Sequence, residues 1–130
     1  MSLNDPLAAV LSNIMNYERN GKHEVYTKNN SKIIKAILTL LQNHRYLGSF
    51  EEIPDGKVNI LKISLIGNIN KIGVIKPRFS VKKDNYVKFE KRFLPAKGFG
   101  ILIITTPKGV MTHDEAKKKG LGGKLICYCY

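Results

Sequence analysis

Leu7, Val10, Leu11, Ile14 and Met15 recur at the three- and four-residue intervals of a single helical face. Asp5-Pro6 ahead of them is the usual helix start, an acidic N-cap followed by proline at the first helical position. Asn20-Gly21 closes this helix, and His23 to Thr27 reads as a short strand with Val25 and Thr27 on one face. Ser31, at the end of the turn Asn29-Asn30-Ser31, caps a second helix carrying Ile33, Ile34, Ile37, Leu38 and Leu41, which is expected to stop at Gly48. The period then changes to two. Leu61, Ile63 and Leu65 form the more apolar face of a strand starting near Val58, and Gly67-Asn68 turns into a second strand over 69–75.

The second half opens on an alternating strand, Arg78 to Lys82, with Phe79 and Val81 inward. Residues 84–94 read as irregular or briefly helical. Ile101 to Ile104 is an uninterrupted apolar run, as in a strand buried on both faces. Thr105 to Gly109 reads as a polar loop, and Val110-Met111 as a brief strand. Thr112 to Glu115 matches a capping box for a short helix ending at Gly120, and Leu125 to Tyr130 is a closing strand. The expected fold is therefore α+β. An N-terminal α-β-α-β-β subdomain over 1–76 packs against a β-rich subdomain with one short helix over 77–130.

Charge changes the picture. The chain has 130 residues and a formal net charge of +12. Residues 1–70 hold 8 basic and 6 acidic side chains, whereas residues 71–130 hold 14 and 4. A generally basic surface accounts for the total but not for this asymmetry, which points to a polyanion meeting the second half. No apolar run reaches the roughly 20 residues of a membrane-spanning helix. The start MSLNDPLAAV lacks a secretion signal, so a cytoplasmic protein with no membrane partner is expected.

Within the cationic half, Thr105-Thr106-Pro107-Lys108-Gly109 carries the sharpest chemistry. Its hydroxyls suit base edges and the ribose 2′-OH. Pro107 limits the freedom of the chain, Lys108 supplies a phosphate counter-charge, and Gly109 permits close backbone approach. Gly122-Gly123-Lys124 forms a second basic, glycine-rich segment, but without the pattern of a nucleotide-binding loop. Arg78, Lys82 and Lys83 add cations nearby. An enzyme is not expected. His23, His44 and His113 fall on different elements, and no nucleophile, metal cluster or carboxylate pair has an argued second member. Neither a catalytic residue, a metal nor another cofactor is assigned. Cys127 and Cys129 share one face of the last strand and read as buried packing residues.

With these residues in place, the chain resembles small-subunit ribosomal protein eight, the S-eight family, along its whole length. The likeness is carried by Asp5-Pro6-Leu7-Ala8, Asn30-Ser31-Lys32, Pro77, Gly98-Phe99-Gly100, Thr105 through Thr112, Ala116 and the turn Gly120 to Gly123. The resemblance implies a primary rRNA-binding protein that organises a bulged helix in the central domain of small-subunit rRNA, beside neighbouring ribosomal proteins. It implies RNA contacts by Thr105 to Gly109 and by the Asn30-Ser31-Lys32 turn. The candidate RNA-binding set also takes in Arg78, Lys82, Lys83, Gly122, Gly123 and Lys124. Family members often carry a serine where Pro107 stands. Bacterial members tend to place glutamate at Lys124 and tyrosine at Lys82. Glu90 through Pro95 is similar to the archaeal and eukaryotic branch. A repressor acting on its own mRNA is the alternative within RNA-binding proteins, and a small hydrolase or transferase the alternative outside them.

Overall fold

The structure, a computed structural model, describes residues 6–28, 31–56, 58–76, 78–96 and 98–130. The chain forms two units, 1–69 and 70–130. No helix among the described residues is long and apolar enough to cross a membrane.

In the first unit, α1 (Pro6–Arg19) buries the five-residue stripe expected from its spacing. Gly21, at φ +70°, ends it, with the N–H of Lys22 reaching back to the carbonyl of Tyr17. The expected N-cap Asp5 lies outside the described residues, as do Asn29 and Asn30. β1 (Glu24–Thr27) buries Val25 and Thr27. α2 (Lys32–Asn43) is capped by Ser31 and buries Ile34, Ile37, Leu38 and Leu41, while Ile33 is half-buried. The expected stop at Gly48 is corrected to Asn43. Arg45 takes a left-handed φ of +64°, and the N–H of Tyr46 returns to the carbonyl of Leu41, so the helix closes without glycine.

The chain continues into β2 (Leu47–Asp55), a strand that its hydrophobic pattern does not announce. A bulge between Leu47 and Phe50 breaks its alternation, and Pro54 sits where an edge strand tolerates it. β3 (Val58–Leu65) lies between β1 and β2 and buries Leu61, Ile63 and Leu65. The α-β-α-β-β order holds, but its last two strands are β2 and β3. The strand expected over 69–75 shrinks to β4 (Ile72–Val74), which pairs with the end of the chain in the second unit. The change of unit accordingly falls between Ile69 and Asn70, ahead of Pro77, which lies outside the described residues.

The second unit adds β5 (Ser80–Val81), α3 (Tyr86–Phe93), β6 (Ile101–Thr106), β7 (Gly109–Thr112), α4 (His113–Lys119) and β8 (Gly123–Cys129). It thus has two helices where one was expected, because residues 84–94 resolve into α3. The sheet runs β4-β8-β6-β7, with β5 also on β8. Alternation gives it two faces. Leu102, Ile104, Met111 and Leu125 point to a core completed by Ile75, Val81, Tyr86, Phe89, Leu94 and Ala116. Tyr86 is buried with its hydroxyl satisfied, donating to the carbonyl of Leu121 at 2.6 Å. On the opposite face lie Ile101, Ile103, Cys127 and Cys129, all buried.

Candidate nucleic-acid interface

Antiparallel register decides what the opposite face of the second sheet presents at its hairpin end. Ser80 pairs with Lys124, Lys124 with Thr105, and Thr105 with Val110. Partners across antiparallel strands point the same way with Cβ atoms about 5 Å apart. One row therefore crosses the sheet as Ser80, Lys124, Thr105 and Val110. The preceding row is Val74, Cys127, Ile103 and Thr112. Within one step this face turns from buried thiol and aliphatic groups to exposed Ser80 and Lys124 and half-buried Thr105. Arg78 contributes here too, since its guanidinium pulls down the pKa of the Cys127 thiol; burial wins, pushing that pKa up to about 12.

The segment expected as a loop is mostly strand. Thr105 and Thr106 end β6, Gly109 begins β7 and pairs with Thr106, and only Pro107 and Lys108 form the turn. Pro107 cannot adopt the positive φ that the usual two-residue hairpin turns require at that position. Gly109, at φ +119°, relieves the mismatch. Thr106 holds the result: its hydroxyl donates to the carbonyl of Gly109 at 2.9 Å and accepts from the N–H of Lys108 at 3.2 Å. Its side chain is buried, so only one acceptor lone pair remains. Thr105, on the other side of the strand, makes no such bond.

Gly122 and Gly123 are not a flexible turn. A Cβ on Gly123 would lie 1.9 Å from the carbonyl oxygen of Thr105, and one on Gly122 would lie 2.5 Å from that of Val81. Glycine lets β8 enter between β5 and β6 with backbone against backbone, which brings Lys124 into the row. Arg78, Lys82, Lys83, Pro107 and Lys108 are all exposed in this unit. Ser80 completes the row, although the sequence alone did not single it out. Its period-two spacing with Arg78 and Lys82 was the available signal.

Ser31 and Lys32 belong to the first unit. Ser31 caps α2 by accepting from the N–H of Ile34 at 3.3 Å, which leaves its hydroxyl proton available. Lys32 is exposed, and no acidic residue stands in the first turn of α2. That helix end is therefore electropositive. The third member of the expected contact, Asn30, lies outside the described residues.

Glu90, His113 and Asp114 bring ligand-type atoms within 4.8 Å of one another, so His113 has two acidic partners, its sequence neighbour Asp114 and Glu90, which the fold brings from α3. The hydrogen bonds oppose a metal site. Nδ1 of His113 accepts from the N–H of Leu102 at 3.1 Å, which leaves the ring proton on Nε2, 3.0 Å from Glu90 Oε1. Nε2 then has no lone pair for a cation, and Lys117 already neutralises Glu90. Burial pushes the His113 pKa down, with Asp114 and Glu90 acting the other way, so the neutral ring is favoured. His113 and Glu90 link α3, α4 and β6. A protein-family model described as Ribosomal protein S8 matches residues 5–130 of the chain.

Proposed function

The chain belongs to the ribosomal protein S8 family, and from that membership we propose that it binds a bulged helix in the central domain of small-subunit rRNA through the hairpin end of its second sheet. As a family member it is a structural protein of the small ribosomal subunit, in the cytoplasm, binding rRNA and other ribosomal proteins. The central-domain target is what the sequence resemblance implies. The observation that carries the reading is the row of Ser80, Lys124 and Thr105 beside the rigid Pro107-Lys108 turn. Lysines and Arg78 supply phosphate attraction without sequence preference, and the hydroxyls of Thr105 and Ser80 meet base edges or the ribose 2′-OH. Ser31 and Lys32 add a contact from the first unit. Gly109, Gly122 and Gly123 act by letting strands and RNA approach closely.

Filter binding of the full chain to separate rRNA domain fragments tests this. The central-domain fragment should bind tightest. Thr105→Val should reduce that preference, and Lys124→Ala should weaken all fragments alike. Equal binding of every fragment, or indifference to both substitutions, would sink the assignment.

A further inference from the structure

The core face of the second sheet ends in aromatic surface that the hairpin row does not use. Phe89 meets Phe79 at 5.6 Å between centroids, and Phe79 meets Phe93 at 6.5 Å. Phe93 stacks on Tyr128 at 5.9 Å, Tyr128 on Tyr130 at 6.2 Å, and Tyr130 meets Phe99 at 6.4 Å. Only Phe89 in this series is buried; four rings are half-buried and Phe99 is 49% exposed. Cations lie on the series. The Arg92 guanidinium sits 4.8 Å from the Phe79 centroid and 5.3 Å from that of Phe93, and the Lys88 ammonium 5.6 Å from Phe89. Lys91 is exposed on the same helix. Among the described residues, none of these three cations is paired with a carboxylate.

We infer that this aromatic and cationic face is a second RNA surface, one that takes unpaired bases of a single strand. Two features select that ligand. A regular duplex hides its base faces and needs only cations, whereas the exposed ring of Phe99, backed by the half-buried rings beside it, offers stacking to bases of any sequence. The unpaired cations of α3 supply the attraction a polyanion requires. Phe79, Phe93, Tyr128 and Tyr130 pack against the core on the other side of the sheet from Ser80, Lys124 and Thr105, so both faces can be occupied at once. The inference rests on RNA as the ligand of this chain but not on the hairpin assignment.

Fluorescence anisotropy of the full chain with a labelled oligouridylate tests it. Wild type should bind, and Phe99→Ala should weaken binding at least about fivefold. Arg92→Lys, which keeps the charge and loses the plane, should also weaken it, while Thr105→Val leaves it unchanged. Saturating central-domain rRNA fragment should not displace the oligonucleotide. Should Phe99→Ala unfold the chain, Phe99→Leu keeps the apolar bulk without the ring and gives the same contrast. Failure to bind, indifference to Phe99 and Arg92, or displacement by the rRNA fragment would each overturn the proposal. Displacement by polyglutamate at equal charge would overturn it in favour of an acidic protein partner. Loss of the central-domain preference, by contrast, would count only against the hairpin assignment.

Discussion

Thr105 and Thr106 are adjacent in sequence, but alternation along β6 sends their hydroxyls to opposite sides of the sheet. Thr106 is bonded to both ends of the Pro107-Lys108 turn. Thr106→Val keeps the β-branched shape, removes both bonds and should cost roughly 1–3 kcal/mol of stability, measured by denaturant unfolding. Thr105→Val should leave stability nearly unchanged and act on RNA discrimination instead. If the two variants unfold alike, this division of roles is wrong. His113 supplies a second residue-level test. Its folded pKa is depressed, so between that value and about 6.5 the unfolded chain holds more protons than the folded one. Stability from this group is full above about pH 6.5 and is lost as pH falls toward the folded pKa. The slope cannot exceed about 1.4 kcal/mol per pH unit. His113→Gln should flatten the curve in that window, and an unchanged curve would show that other groups set it.

Among the elements, β8 decides most, because it carries the sheet's central contacts and the entry to the row of Ser80, Lys124 and Thr105. Gly123→Ala would drive a methyl group into the Thr105 carbonyl and should destabilise by about 1–3 kcal/mol or more. Gly109→Ala meets open space and costs only the strain of its positive φ. A thermal melt in which Gly109→Ala is the worse variant would contradict the close approach of β8 to β6. Further along β8, Cys127 and Cys129 are buried, and burial holds the pKa of the Cys127 thiol at about 12. Neither should react with iodoacetamide in the native state at neutral pH. Changing both to serine should destabilise more than changing both to alanine, since each new buried hydroxyl needs a partner. Rapid native alkylation would refute the packing role.

At the scale of the molecule, charge is partitioned between the two units: near-neutral in the first, strongly cationic in the second. Binding to the central-domain fragment should therefore weaken steeply with salt, by about one unit of log–log slope per phosphate neutralised. Removing Lys124 or Lys108 should each lower the slope by about that amount, whereas Lys28→Ala in the first unit should not. A salt-independent affinity would remove the electrostatic basis of the reading.

Helix periodicity, the caps at Ser31 and Thr112 and the apolar run at Ile101 were legible in the sequence, since each depends on residues within a turn or two of one another. So was the cationic half, a matter of counting. The features that escaped depend on contacts distant in sequence. β2 hides its alternation behind a bulge that only pairing with β3 makes intelligible. The segment 72–74 joins β8, more than fifty residues away, rather than the neighbouring β3. Ser80 becomes a candidate site residue only because the register of β5 on β8 sets it beside Lys124. Thr106 looked like a free hydroxyl until the hairpin closed on it. Local preference and composition act along the chain and can be read there, whereas register and face belong to strand pairs, which exist only once the chain has folded.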